Sequence, residues 1–123
     1  MERVSAEKAP KAAGPYSQAI ISGNLIFVSG QLGVDKDGNL GKNIVEQTEN
    51  AIKNLSEILL AAGSNLSKVV KTTCFLADIK DFAAFNETYG KYFMEKPARS
   101  LIQAAALPKG SLIEMEVIAE IRR

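Results

Sequence analysis

The sequence predicts an α+β domain of two layers, a β-sheet with two helices on one face. Three patterns support this class: two amphipathic helical segments, apolar strand-like segments around them, and a last strand whose two faces differ in polarity. The order ββ-α-β-α-ββ supplies helices for only one face of the sheet. The 123 residues, 46% hydrophobic and 24% charged, predict a single domain over 1–123.

The chain is predicted to begin with a loose lead-in over residues 1–13, followed by a β-hairpin. Apolar segments at 19–21 and 25–29 flank Ser22, Gly23 and Asn24. Glycine and asparagine tolerate the positive φ angles of a tight turn. A second turn is predicted over 35–39 around Gly38.

The clearest helix is predicted over residues 44–62, where apolar residues recur at three- and four-residue steps. Asn43 is a suitable N-cap with Glu46 three residues on, and Gly63 supplies the stop. A second helix with an aromatic stripe is predicted over 81–93, capped by Asp78 or Asp81. The stripe consists of Phe82, Phe85, Tyr89 and either Tyr92 or Phe93.

Three further strands are predicted, over 69–77, 99–106 and 112–121. The first is expected to place Val70, Thr72, Cys74 and Leu76 on one face. The last has apolar residues on one face and carboxylates on the other, namely Glu114, Glu116 and Glu120.

The face of the sheet without helices is expected to expose apolar side chains. Exposed apolar sheet surface commonly marks an interface, which predicts a homo-oligomer with sheets packed together. The alternative is a solvated sheet with scattered apolar residues. The residues expected on this face are Leu76 or Phe75, Leu101, Leu112 and Ile118.

Composition excludes several kinds of chemistry. The chain has no histidine and one cysteine, Cys74, which rules out Ser-His-Asp catalysis, His-ligated metal sites and an intramolecular disulfide. The net charge of +1 argues against nucleic acid as the main partner. No apolar run approaches the roughly 20 residues of a membrane helix. These features predict a cytoplasmic protein without membrane contact, with Cys74 as a core residue.

Four positions are candidates for binding or catalysis. Tyr16, after a Gly-Pro turn, can present a hydroxyl, and Gly30, after Ser29, allows close backbone approach. Arg99 follows Pro97 at a strand start, where a guanidinium can grip a carboxylate. Glu114 alternates with core residues, and burial would raise its pKa.

Each candidate also has a structural interpretation, as a packing tyrosine, a β-bulge, a surface arginine or a solvent-facing glutamate. The alternation of side chains along the last two strands relates two of these candidates, Arg99 and Glu114. If Ile102 shares the helix-covered face with Ile113, then Arg99 and Glu114 both project from the opposite face.

The chain closely resembles the Rid family (RidA/YjgF, also described as translation inhibitor proteins) from Ala9 to Arg122. The shared stretches occur in the family's order, and together they are highly specific. They include Gly14-Pro15-Tyr16-Ser17-Gln18-Ala19, Ser29-Gly30-Gln31, Asn86-Glu87-Thr88-Tyr89, Pro97-Ala98-Arg99-Ser100, Leu107-Pro108-Lys109-Gly110 and Ile113-Glu114-Met115-Glu116.

The resemblance implies a chorismate-mutase-like fold and a homotrimer with a central β-barrel and ligand clefts between subunits. It also implies hydrolysis of 2-imino and 2-enamino acids to 2-oxo acids and ammonia, without a metal or cofactor. Arg99 would hold the substrate carboxylate, Glu114 would position or activate water, and Tyr16 would bond at the reacting end. Ser29, Gly30, Leu101 and Asn86 would line the cleft.

The sequence departs from the family at Leu101, where many members carry cysteine, and before Pro97, where it is about one residue shorter. Leucine makes the expected cleft narrower and more apolar. Two other functions stay open: a trimer that binds carboxylates without turnover, and an endoribonuclease or translation inhibitor. Near-neutral charge and the missing histidine offer little for RNA cleavage.

Overall fold

A computed structural model describes residues 1–121 as one six-stranded sheet carrying two helices. Arg122, where the family resemblance ends, and Arg123 lie outside the described residues, so the domain is described over 1–121. The predicted α+β class is confirmed. The elements are β1 (Glu2–Val4), β2 (Ala19–Ser22), β3 (Leu25–Leu32), α1 (Ile44–Ala61), β4 (Val69–Leu76), α2 (Phe82–Tyr92), β5 (Ala98–Gln103) and β6 (Ile113–Glu120).

The strands follow the spatial order β1-β2-β3-β6-β4-β5. The predicted hairpin is confirmed by the antiparallel pairing of Ala19 with Val28 and of Ser22 with Leu25. The loose lead-in was wrong for its first residues, because β1 pairs with β2 and its Val4 is buried in the core. Three residues are too few to show a periodicity, so only the backbone pairing reveals this strand.

The core lies between the sheet and α1. Asn43 caps α1 as predicted, its Oδ1 accepting a 2.9 Å bond from the Glu46 amide, and Gly63 follows the helix at φ +87°. The Glu46 carboxylate accepts from Lys42 N rather than from the cap residue. The α1 stripe is fully enclosed at Ile52, Leu55, Ile58 and Leu59.

Strand β4 differs from its predicted face pattern at one end. Thr72, Cys74 and Leu76 are buried on the helix side as predicted, but Val69 is buried and Val70 is 39% exposed. A register shift against β6 between Val69 and Lys71 reverses the alternation there.

Helix α2 buries most of its aromatic stripe in the core. Phe85, Tyr89 and Phe93 are buried, so Phe93 and not Tyr92 continues the stripe, whereas Phe82 and Tyr92 are each 41% exposed. Asp78 caps the short 3₁₀ turn Ile79–Asp81 by accepting from Lys80 N, while Asp81 makes no side-chain cap bond to α2.

The sheet face opposite the helices, here called the open face, carries exposed apolar residues. Phe27 and Ile102 are 42% and 54% exposed, and β6 presents its glutamates and Ile118 there. Phe75 lies on this face, as one alternative predicted, whereas Leu76 is fully buried. No helix in residues 1–121 is long and apolar enough to cross a membrane.

Candidate functional site

Arg99 lies on the helix side of the edge strand β5. Strand β5 runs parallel to β4 and pairs Arg99 with Thr72, a core residue, so the two side chains share a face. Its Nη1 donates a 2.7 Å hydrogen bond to Oδ1 of Asn86 on α2. The guanidinium carbon lies 4.9 Å from the ring centre of Tyr89, 5.9 Å from that of Phe82 and 6.0 Å from that of Phe85.

The guanidinium of Arg99 is therefore held without an acidic partner. No Asp or Glu of residues 1–121 forms an ion pair with it. A guanidinium has five N–H donors, and the aromatic rings and one amide oxygen satisfy only part of them. Arg99 also lines a pocket of about 450 Å³ whose walls include Tyr89, Phe93, Met94 and Pro97. This arrangement can accept a carboxylate bidentately.

Leu101 lies on the same side of β5 as Arg99, beside Cys74 of β4. It is half-buried against the core, so the expectation that it lies on the open face was wrong. Cys74 is a core residue as predicted: burial is the largest cause that raises the pKa of its thiol to about 11. A thiol with that pKa is a poor nucleophile at neutral pH.

Glu114 lies on the open face of β6, between Leu32 of β3 and Phe75 of β4. Burial is the main cause that raises the pKa of its carboxyl above the usual range, and the charge of Glu116 raises it further. A raised pKa makes a carboxylate a stronger base than a fully solvated one, which suits it to accepting a proton.

Gly30 makes the room that Glu114 occupies. A Cβ at position 30 would lie 3.0 Å from Cδ and 3.1 Å from Cγ of Glu114, and closer still to Oε2. The register of β3 against β6 shifts between Val28 and Gln31, which confirms a bulge at this point. Gly30 therefore accommodates a side chain of its own sheet, while the sequence suggested backbone approach to a ligand.

Ser29 lies within β3, and Tyr16 belongs to the segment that leads into β2. The Ser29 hydroxyl donates a 2.6 Å bond to the Ser17 carbonyl, which fastens this segment to β3. Tyr16 is 52% exposed, and its hydroxyl accepts a 3.2 Å bond from Ala13 N. Tyr16 and Gly30 line the same small cavity of about 90 Å³.

The candidate residues thus form two groups. The helix-side group comprises Arg99, Asn86 and Leu101. The second, here called the open-face group, comprises Ser29, Gly30 and Glu114, together with Tyr16, which shares a cavity with Gly30. The conditional expectation that Arg99 and Glu114 share a face was wrong. Its premise fails because Ile102, next to Leu101, is 54% exposed on the open face. The register of β5 is set by its parallel pairing with β4, not by the loop that leads to β6.

Sequence reasoning missed three buried glutamines that position the segments around these groups. Gln18 accepts from Ala6 N and donates to the Pro10 carbonyl at 2.8 Å, which folds the lead-in over β2. Gln47 accepts from Leu112 N at 2.8 Å, which holds the start of β6 against α1. Gln31 donates to the Ser29 carbonyl. The sequence held one signal for such a role: an amide side chain within an apolar helical stripe, as at Gln47, because a buried amide needs hydrogen-bond partners.

No group of three or more His, Cys, Asp or Glu side chains in residues 1–121 could hold a metal ion. The polar side-chain groups of the two candidate groups are the Arg99 guanidinium, the Asn86 amide, the Ser29 hydroxyl, the Tyr16 phenol and the Glu114 carboxyl.

Two curated relatives resemble the chain over nearly its whole length. Reactive Intermediate Deaminase A, chloroplastic, of Arabidopsis thaliana is 52% identical over 98% of this chain and 66% of the relative. Human 2-iminobutanoate/2-iminopropanoate deaminase is 49% identical over 94% of this chain and 87% of the relative.

Solved structures share the fold closely. The yeast protein YEO7 has a TM-score of 0.95 at 48% identity, with 98% of each chain covered. Escherichia coli TdcF with bound serine has a TM-score of 0.95 at 35% identity, covering 99% of this chain and 100% of TdcF.

The family described as Endoribonuclease L-PSP matches residues 6–121, which is nearly all of the described sheet and both helices. The two relatives named as deaminases cover 98% and 94% of the chain. The chain belongs to the Endoribonuclease L-PSP family, which includes the YjgF/RidA proteins.

Proposed function

We propose that this protein hydrolyses reactive 2-imino and 2-enamino acids to 2-oxo acids and ammonia. The observation that carries the proposal is an arginine without an acidic partner, Arg99, in a chain that also presents Glu114 with a raised pKa. Arginine suits the carboxylate common to these substrates, and a carboxyl whose pKa is raised by burial suits proton transfer. The deaminase names of relatives at about 50% identity support the same activity.

The site is assembled from two copies of the chain in a homotrimer whose open faces form a central barrel. Arg99 and Glu114 lie on opposite faces of one sheet, so a small substrate held by one cannot reach the other within one chain. The apolar open face, with Phe27 and Ile102 exposed, offers the surface for this packing. Each cleft then combines the helix-side group of one subunit with the open-face group of its neighbour.

Hydrolysis at this site needs orientation and one proton relay. Arg99 and the backbone near Leu101 hold the substrate carboxylate, with Asn86 fixing the guanidinium. The Glu114 carboxylate takes a proton from water as its oxygen attacks the imine carbon. The same carboxyl gives that proton to the nitrogen, which forms a carbinolamine. Glu114 then takes the proton of the carbinolamine hydroxyl and passes it to the amino group, so the C–N bond breaks and ammonia leaves as the carbonyl of the 2-oxo acid forms. Tyr16 donates a hydrogen bond at the reacting end, and Ser29 and Gly30 shape the wall beside Glu114.

A second function, binding without turnover, is favoured by one observation. Escherichia coli TdcF, at 35% identity, was solved with bound serine, and the chemistry of Arg99 would suit such a carboxylate ligand. Endoribonuclease or translation-inhibitor activity, which the family description names in part, finds less support, because the net charge is +1 and the chain lacks histidine. Nucleic-acid and membrane partners are therefore not proposed. A cytoplasmic location is proposed, although one relative is chloroplastic.

The experiment generates 2-iminobutanoate with threonine dehydratase and traps the remaining imine with semicarbazide. The wild-type protein is expected to decrease semicarbazone formation, while Arg99→Ala and Glu114→Ala do not. Binding of 2-oxobutanoate, measured by calorimetry, separates the two functions, because Glu114→Ala keeps binding and Arg99→Ala loses it. Wild-type binding without any decrease in semicarbazone would overturn the deaminase proposal in favour of the binder.

A further inference from the structure

The ring of Tyr89 lies directly beneath the guanidinium of Arg99. Its centre is 4.9 Å from the guanidinium carbon, about 1 Å nearer than the rings of Phe82 and Phe85. Tyr89 is itself fixed from below, because its hydroxyl shares a 2.8 Å hydrogen bond with the hydroxyl of Thr72 on β4. We propose that Tyr89, tied to Thr72, is the positioning residue that sets the plane and height of Arg99 for carboxylate binding.

Two contacts keep the Tyr89 ring from moving. The ring of Phe93 stacks on it at 4.5 Å with an interplanar angle of 27°, and the ring of Phe85 lies 5.5 Å away. Thr72 is fully buried in the sheet, so the hydroxyl bond joins α2 to a rigid strand. Burial also raises the pKa of the Tyr89 phenol, which keeps the hydroxyl protonated.

A bond to Asn86 alone cannot orient Arg99. One hydrogen bond from Nη1 leaves the guanidinium free to swing about that contact. An aromatic face attracts the cation across its whole plane, so it restrains the guanidinium's tilt as well. The ring also shields one face of the guanidinium from water, which strengthens its bonds to a carboxylate. The free edge of Arg99 is thereby held towards the adjoining pocket.

The test compares Tyr89→Leu, which removes the ring, with Tyr89→Phe, which keeps the ring and removes the hydroxyl. Ile26→Ala is the matched control for stability, because Ile26 is fully buried on β3, and β6 and β4 lie between that strand and β5. Thermal unfolding reports the structural cost of each variant. The kinetic part of this test rests on the proposed function. Two further measurements do not need turnover: the Kd of 2-oxobutanoate and the rate at which phenylglyoxal modifies Arg99.

Tyr89→Leu is expected to raise KM and Kd about tenfold, to leave kcat within about twofold, and to speed Arg99 modification about fivefold. Tyr89→Phe is expected to stay within about threefold of wild type in each. Ile26→Ala should lower the unfolding temperature as Tyr89→Leu does, yet leave KM, Kd and the modification rate near wild type. Equal effects of Tyr89→Leu and Ile26→Ala on the modification rate would overturn the inference. If the wild type shows no turnover, the proposed function fails while the modification rates still decide this inference.

Discussion

Replacing Gly30 with alanine tests whether Glu114 works in the position that the structure gives it. The new Cβ would lie 3.0 Å from Cδ and 3.1 Å from Cγ of Glu114, and nearer still to Oε2. Carbon atoms of this kind pack at roughly 3.5–4.0 Å, so the carboxylate must move by on the order of 1 Å. A displacement of that size can lower a rate about 100-fold when orientation carries the catalysis.

The assay is the semicarbazide-trapping measurement, made beside thermal unfolding. Gly30→Ala is expected to lower kcat about 100-fold and to destabilise the fold by about 1–3 kcal/mol, the range for inserting a methyl into a filled space. Its KM should change little, because Arg99 lies on the other face of the sheet. The matched control is Gly90→Ala on α2, whose Cβ would meet nothing within 4 Å. That variant is expected to be as stable as wild type or more so.

Wild-type kcat in a folded Gly30→Ala protein would refute the reasoning. Such a result would mean that Glu114 acts from a position other than the space at Gly30. A collapse of the unfolding temperature beyond the range of one added methyl would instead show that the bulge itself cannot form with alanine.

Three other predictions follow from burial and charge. Glu116→Gln should move the acidic limb of the kcat/KM profile to lower pH, because removing the neighbouring charge lowers the pKa of Glu114, which acts as the carboxylate. Leu55→Ala should lower the free energy of unfolding by about 2–5 kcal/mol in urea, since Leu55 is fully enclosed, and a loss below about 1 kcal/mol would contradict that packing. Cys74 should react with iodoacetamide at pH 8 at least about 100-fold slower in the folded protein than in urea, because burial raises the pKa of its thiol to about 11, and equal rates would be inconsistent with it.

The sequence was sufficient for the elements with strong periodicity. The α1 stripe, its Asn43 cap and the Gly63 stop could be predicted because each rests on local geometry. The alternation of β6 likewise predicted which face carries Glu114. Strand β1 could not be predicted, because its formation depends on pairing with β2 and not on any pattern within three residues.

The arrangement of the candidate site depended on long-range pairing. The conditional prediction that Arg99 shares a face with Glu114 carried the alternation of side chains from one strand to the next across a loop. A loop of unknown register does not preserve that alternation. The parallel pairing of Thr72 with Arg99 decides the face, and it joins segments 27 residues apart in sequence. The room that Gly30 makes for Glu114 is likewise visible only once β3 and β6 are neighbours.

The central claim is that each site takes Arg99 from one subunit and Glu114 from its neighbour. Arg99→Ala and Glu114→Ala proteins, each inactive alone, are mixed in equal amounts, unfolded, refolded together and assayed for imine hydrolysis. Each cleft of a trimeric ring with head-to-tail interfaces needs one subunit that keeps Arg99 and a neighbour that keeps Glu114. When the two variants assemble at random, about a quarter of the clefts meet this condition, so about a quarter of wild-type activity is predicted. A refolded mixture as inactive as the separate variants, while wild type refolds to full activity, would contradict a site shared between subunits.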